Sequence, residues 1–323
     1  MPEMNFAEAV IDGLSVALDM DPDFAVIGRG ISGHGPEGSA DKALGRFGAR
    51  VTDPPTSEAA VALMGLGASM AGLRMFVHFG TSVFAFEAWN QLVNEAANVR
   101  YMSGGRLKSP VTFYMFHGLR NGGGPQHSAS PHAAYAHNPG LEIVMPSNPA
   151  DAKGLLLRSI RSDNATVMFA HPALLSLRAD VKAGDYEIPF GKAAIPRPGK
   201  DVTIVAISRQ VPEALKAAEA LAKEGIDAEV LDPRTISPLD EEAILTSVRK
   251  TGRLVVADEG SIAYGFASEV AALVAEKGFG SLKAPVARVA RPNTPVPFSP
   301  EMENFLLADA AKIAAAARRT VKA

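Results

Sequence analysis

The sequence predicts an α/β protein of two domains, each built around a largely parallel sheet. Short β-branched runs alternate with longer helical runs along the whole chain, which is the pattern of repeated strand–helix units. The chain has 323 residues, too long for one ordinary domain and suited to two. Its 47% hydrophobic and 21% charged composition is that of a soluble protein with a well-buried interior. A segment mixing Pro, Gly and charge, around residues 178–200, marks the division: a first domain over 1–180, a linker over 181–200, and a second domain over 201–323.

Taken in order, the opening MPEMNFAEAVIDGLSVALDMDPD reads as an amphipathic helix, because no charged leader precedes a continuous apolar core. Phe24–Ile27 is a first strand, followed by a glycine-rich loop. Pro54, Pro55, Thr56, Ser57 and Glu58 form a helix start, with hydroxyl caps and an early acid, and that helix runs to Gly72. Arg74–Phe79 is apolar enough for a buried strand. A helix is expected over Val83–Val99, with Phe86, Trp89, Val93 and Ala97 recurring on one buried stripe. Strands follow at Pro110–Phe116, Leu141–Met145 and Thr166–Phe169, with a helix at Lys153–Ile160. In the second domain Val202–Ile207, Ala228–Leu231, Arg253–Ala257 and Pro285–Val289 are strands. Pro212–Glu224, closed by Gly225, and Pro238–Lys250 are helices between them. The second has acids in its first turn and Arg249 and Lys250 in its last, matching the helix dipole.

Composition excludes several functions. A net charge of −3 with no polybasic run offers no field for nucleic acid. There are no cysteines, hence no disulfide, thiolate metal site or Cys nucleophile, and reducing cytoplasm is the natural compartment. The most apolar stretch, Ala59–Leu73, is rich in Gly and Ala and too short to span a bilayer.

All seven histidines fall between residues 34 and 171, so imidazole chemistry belongs to the first domain. Gly28-Arg29-Gly30-Ile31-Ser32-Gly33 fits a dinucleotide-binding pattern after a strand. However, Gly33-His34-Gly35-Pro36-Glu37-Gly38 cannot continue as the helix that pattern requires, so a loop is expected. Glu58, on helical pattern alone, is a first-turn acid that satisfies the dipole. His127 follows Asn121–Pro125, a segment bound to be a loop, and loop histidines are better functional candidates than core ones. His127, His132 and His137 do not make a metal site, since residues five apart on a helix diverge by about 140°. Neither a G-x-S-x-G elbow nor a Walker loop is present.

Five ordered blocks change the weighing. NQLVNEAANVRYMSGG, GGGPQHS, AHNPGLEIVMPSNPADAKGLL, ISRQVPEALKAAEALAKEGIDAEVLDPRTISPLDEEAI and VARPNTPVPFSP together resemble the beta subunit of the thiamin-diphosphate-dependent 2-oxoacid dehydrogenases of pyruvate, acetoin and branched-chain type. The resemblance covers the chain from about Asn5 to the C-terminus. It implies a transketolase-type pyrimidine-binding domain, with a parallel sheet between helices, followed by a transketolase C-terminal α/β domain. It also implies a thiamin diphosphate shared with an alpha subunit in an α₂β₂ assembly, Mg²⁺ on the alpha side, and a lipoyl acyltransferase core as acceptor for the acyl group of a small 2-oxo acid. No Gly-Asp-Gly occurs in this chain, as suits the beta side and a polypeptide inactive alone.

By position, Glu58 matches the glutamate that bonds N1′ of the aminopyrimidine. Phe84 matches an aromatic packed on that ring, and Gln91 falls near the same pocket. His127 matches a histidine at the active-site entrance that assists acyl transfer. Tyr114, Ser159, Ile160 and Asn164 lie where some members hold a structural K⁺. The chain also departs from the family. Gly28-Arg29-Gly30-Ile31 stands where members commonly read Gly-Glu-Asp/Glu-Val, His78 and Ala170 stand where glutamates are usual, Ser162 replaces a common aspartate, and the loop Gly118–Gln126 is a few residues short. Fewer acids around one cleft alter its potential and the substrates it accepts. Two other functions fit the same blocks: a split transketolase-like enzyme with another acceptor, and a non-catalytic scaffold that keeps the fold.

Overall fold

The computed structural model describes residues 1–28 and 43–323; Arg29 and the rest of the glycine-rich segment that follows the first strand lie outside the described residues. The chain divides into two units. One comprises Met1–His117 with Ala134–Phe190, the other Gly118–Ala133 with Gly191–Ala323.

In the first unit, α1 (Phe6–Met20) begins with a reciprocal capping box. The Asn5 side chain accepts from the Glu8 amide at 2.8 Å, and the Glu8 carboxylate accepts from the Asn5 amide at 2.7 Å. A two-stranded antiparallel ribbon joins β1 (Glu3–Asn5) to a late strand over Arg178–Asp180. The main sheet is parallel throughout, built from β2 (Phe24–Gly28), β3 (Val51–Thr52), β4 (Arg74–Thr81), β5 (Val111–Phe116), β6 (Glu142–Val144) and β7 (Thr166–Ala170). Its order is β6-β7-β5-β4-β2-β3; the Arg178–Asp180 strand is β8. Period-two alternation sends Val26, Phe76, Tyr114 and Met168 to one face, where they form a core with α1 and α3 (Pro149–Ile160).

The other face receives α2 (Glu58–Met70), which lies unusually close to β4 because it presents Gly65 there. A methyl group on Gly65 would sit 2.3 Å from Val77 Cγ2. Gly65→Ala is therefore expected to destabilise the unit by about 1–3 kcal/mol through overpacking, although alanine is the better helix former. A thermal melt checks this, and an unchanged or raised Tm would mean α2 can shift away from β4 at no cost.

The segment after β4 departs from the expected single helix. It forms a 3₁₀ turn over Phe84–Ala88, a π-helix over Asn90–Ala96, and one α-turn over Val99–Met102. The buried positions are Ala85, Ala88, Leu92, Ala96, Ala97 and Val99, whereas Phe86 is 43% exposed. Alanines face inward because the 3₁₀ and π segments pack directly on α2, and that approach leaves no room for rings. Phe86 and Trp89 turn instead onto Tyr135, at 6.2 and 5.1 Å between ring centroids. Wide π-turns are costly and are often found at functional sites.

The second unit has a five-stranded sheet of β9 (Ala194–Arg197), β10 (Val202–Ala206), β11 (Ala228–Asp232), β13 (Leu254–Ser261) and β14 (Ala287–Arg291), in the order β14-β13-β10-β11-β9; the short β12 (Thr235–Ser237) follows β11. Only the edge strand β9 runs antiparallel. Its core lies between the sheet and two helices, α4 (Gln210–Ala222) and a C-terminal helix over Ala310–Lys322. On the other face α5 (Glu241–Thr251) starts at an Asp240 cap, and Gly252 ends it in the left-handed conformation. A further helix, α6 (Phe266–Lys277), and a short α7 (Pro300–Leu306) complete the unit, and the Ala310–Lys322 helix is α8. The loop Gly118–Ala133 groups with this unit although β5 delivers it.

Candidate active site

Glu58 is the first residue of α2, so its carboxylate sits at the positive end of that helix. Pro54 and Pro55 stiffen the approach, and Ser57 holds the N-cap in extended geometry with no side-chain bond to the helix. Glu58 is half-buried. It lines a small, open pocket with Pro54, Pro55, Ser57, Val61, His78 and Phe79. The pocket opens beside the carboxyl end of β4, where parallel α/β sheets bind ligands.

His78 is 6% exposed. Its ring packs on Tyr114 at 5.4 Å and edge-on to Phe116 at 5.5 Å. The neighbouring strand comes equally close: Gly28 is paired in register with His78, and a methyl group on Gly28 would lie 2.6 Å from His78 Cβ and from its carbonyl oxygen. Only glycine fits there. Ala170 ends β7, opposite Phe116.

Phe84 lies on the 3₁₀ turn and Gln91 on the π-helix, and both elements pack on α2. The Gln91 amide oxygen is buried and accepts no hydrogen bond within the described residues. Such an orphan acceptor is costly unless a ligand donates to it. Beneath these elements Tyr135 is fully buried among Phe86, Trp89 and Phe169, and burial raises its hydroxyl well above the ordinary tyrosine pKa.

The remaining histidines separate by role. His117 and His171 are buried and stack edge to face at 5.2 Å, and His171 Nδ1 accepts from the Ala173 amide. His132 is buried against Asp258, with 3.2 Å between Nε2 and Oδ1. His127 and His137 are exposed. Glu58, Phe84, Gln91 and His78 thus belong to the first unit, and His127 to the second.

The four residues considered for K⁺ carry other bonds. Arg74 donates to the Ile160 carbonyl at 3.1 Å and to the Ser162 carbonyl at 3.0 Å. Arg100 donates to Asn164 Oδ1 at 2.6 Å, and Ser159 Oγ donates back to the Leu155 carbonyl at 2.8 Å. Tyr114 lies inside β5. Ser162 Oγ donates at 2.6 Å to Glu142, which also accepts from Asn164 and Thr166. Asp163 is held below the ordinary carboxylate range, first by its hydrogen bond from Lys108 and then by Arg74. Among the described residues no group of three or more His, Cys, Asp or Glu is arranged to hold a metal, and no helix is long and apolar enough to cross a membrane.

The transketolase pyrimidine-binding domain family matches residues 2–176, and the transketolase C-terminal domain family matches residues 191–313. The chain is 41% identical to the beta subunit of acetoin:2,6-dichlorophenolindophenol oxidoreductase of Cupriavidus necator, covering 97% of this chain and 96% of that one. This chain is a beta subunit of the 2-oxoacid dehydrogenase family. The 2-oxoisovalerate dehydrogenase subunit beta of Bacillus subtilis is 37% identical, over 98% of both chains. The mitochondrial pyruvate dehydrogenase E1 beta subunit of Dictyostelium discoideum is 36% identical, over 99% of this chain and 92% of that one. The fold is shared with a split-gene transketolase solved as an inactive beta4 tetramer, at TM-score 0.81 and 23% identity over 98% and 97% of the chains. The family is thiamin-diphosphate-dependent, so the α/β architecture and the enzyme class read from the sequence both hold.

The sequence reading missed the acids Asp258, Glu259 and Glu303, all buried in the second unit. A signal was present: Asp258-Glu259 closes the apolar run Leu254–Ala257, and adjacent acids inside a buried strand require partners.

Proposed function

We propose that this beta subunit holds the aminopyrimidine half of a thiamin diphosphate site, that an alpha subunit completes it, and that an α₂β₂ assembly decarboxylates a 2-oxo acid. The acyl group then passes to a lipoyl domain of an acyltransferase core, whose disulfide is reduced as the acyl carbon is oxidised. One observation supports this above the others: Glu58 stands at a helix N-terminus, lining a pocket at the carboxyl end of the sheet.

The residues present fit the group. Glu58 would share a proton with N1′, Phe84 would cover the ring, and the orphan oxygen of Gln91 would accept from an amino group. Thiamin diphosphate, when bound, supplies a nucleophilic carbon and an electron sink. His127 would hold a proton at the acyl-transfer stage. His78 in place of a carboxylate makes the pocket less negative and favours an anionic substrate. Mg²⁺ and the diphosphate belong to the alpha side. The residues considered for K⁺ do not fit that ion, because two guanidinium groups already supply positive charge to the Ile160 carbonyl and Asn164. Melting curves in potassium and choline buffers of equal ionic strength are expected to coincide; a potassium-specific rise in Tm would place the ion there.

The reading is tested by co-expressing the chain with its alpha partner and measuring thiamin diphosphate binding and 2-oxoacid-dependent dye reduction. The pair should do both and the chain alone neither. Absence of binding by the pair would sink the proposal, and decarboxylation without transfer to lipoyl domains would favour another acceptor.

A further inference from the structure

Among the buried carboxylates of the second unit, none of which the proposed chemistry uses, three face one loop: Asp258 is fully buried, and Glu259 and Glu303 are each 2% exposed. A buried carboxylate is costly unless its lone pairs are satisfied. All three reach one segment, Gly118–Ala133, which carries His127, and Asp258 accepts in addition from the Gly260 amide at 2.9 Å. Glu303 Oε1 accepts from the Asn121 amide and Oε2 from the Gly122 amide, each at 2.6 Å. Asn121 and Gly122 adopt φ of 56° and 99°, a turn that aims both amides at one carboxylate. Glu259 accepts from the Leu119 amide and from Gln210 Nε2, and Arg209 lies 3.9 Å away. Asp258 receives His132 at the far end of the segment.

The backbone that carries the exposed His127 is closely packed. The Gly118 amide donates to the Ala129 carbonyl and closes the loop at its base. A methyl group on Gly123 would meet Ser128 Oγ at 2.6 Å and His127 Cβ at 3.3 Å, and one on Gly124 would strike the Phe298 ring. Between Gly118 and Pro131 there is no helix or strand to give rigidity. The acids tie the segment down on both sides of His127, at Leu119 and Asn121–Gly122 before it and at His132 after it.

We infer that Glu259, Glu303 and the Asp258–His132 pair are positioning residues that hold His127 in a fixed place for acyl transfer. This rests on the role proposed above for His127. Fixed placement is what a proton-handling side chain on a loop needs, since small displacements of a catalytic group cost large factors in rate.

The test uses Glu303→Gln in the chain assembled with its alpha partner, because an amide of the same shape places an N–H₂ against one of the two backbone N–H groups. Amide hydrogen exchange over 118–133 is expected to rise at least tenfold, with β5 and β13 unchanged. Transfer to lipoyl domains should fall about tenfold, with thiamin diphosphate binding and the KM for the 2-oxo acid unaltered. In a His127→Ala background the same substitution should cost no further transfer rate, as expected for residues acting through one group. Unchanged exchange, or equal loss in both backgrounds, overturns the inference. If His127→Ala alone leaves transfer intact, the role proposed for His127 fails, and the exchange result still decides whether the clamp exists. Glu259→Gln, probing the Leu119 contact, serves where Glu303→Gln does not fold.

Discussion

Glu58→Gln is expected to lower 2-oxoacid turnover by the alpha–beta pair about 100- to 10,000-fold, the usual contribution of a positioned acid–base group. The fold should be untouched. Glu58 is half-buried at the first position of α2, and among the described residues its side chain makes no hydrogen bond or ion pair that holds α2 in place. A first-turn acid adds only about 0.3–1 kcal/mol through the helix dipole, and glutamine gives up no more than that. Tm by circular dichroism should therefore move by no more than about 1–4 °C for a unit of this size. The amide keeps the volume and the hydrogen-bonding reach of the carboxyl but cannot take up a proton at neutral pH. Thiamin diphosphate binding should thus survive in part while turnover does not. Residual activity within a factor of ten of the parent would remove Glu58 from proton transfer and leave it a helix acid. Glu58→Asp distinguishes the two roles further: it keeps the charge and the dipole but draws the carboxylate back by one methylene, so a purely helical acid would lose nothing.

The two sheets were legible because their strands are continuous apolar runs, as strands covered on both faces must be. Val202–Ala206 and Val111–Phe116 fall within a residue or so of the predicted runs. The helix after β4 was misread for a physical reason. Periodicity assigns the largest rings to the core, but here Ala85, Ala88 and Leu92 face it, because packing against α2 favours small side chains over apolar ones. Close approach of this kind is set by a neighbour distant in sequence, and Gly65 against Val77 and Gly28 against His78 carry the same information. Of the site, Glu58 could be singled out only by resemblance, since a first-turn acid and a catalytic acid look alike in one dimension. His132 is buried where His127 and His137 are exposed, and its partner Asp258 lies 126 residues away. The clamp on the His127 loop is wholly tertiary. Each of its bonds joins the loop to elements more than 100 residues later, and no local pattern records it.

Asp12→Ala should be far more damaging to stability than Lys153→Met, although both break the same ion pair. Lys153 is fully buried on α3, with Nζ 2.6 Å from Asp12 Oδ2 and 2.9 Å from the Lys182 carbonyl. Asp12, on α1, keeps a third of its side chain in water. Removing the acid leaves an ammonium inside the α1–α3 layer with one carbonyl and the Tyr186 ring, 5.3 Å away, as company. Stranding a buried charge in this way costs about 3–5 kcal/mol. Removing the lysine instead leaves a carboxylate whose Oδ2 is buried but a third of whose side chain is in water, and methionine fills the space of the lysine stem, so the loss should be smaller, about 1–2 kcal/mol. The pair is shielded from solvent on the lysine side, so the difference should persist in high salt, whereas a surface pair such as Arg46–Asp19, with 56% and 51% of its side chains exposed, should add nothing measurable there. This layer packs on the face of the sheet opposite α2, so in the assembled enzyme both variants should melt earlier without a change in the KM for the 2-oxo acid. Equal losses of Tm for the two substitutions would mean that the contact matters as packing between α1 and α3, and that its charge is incidental.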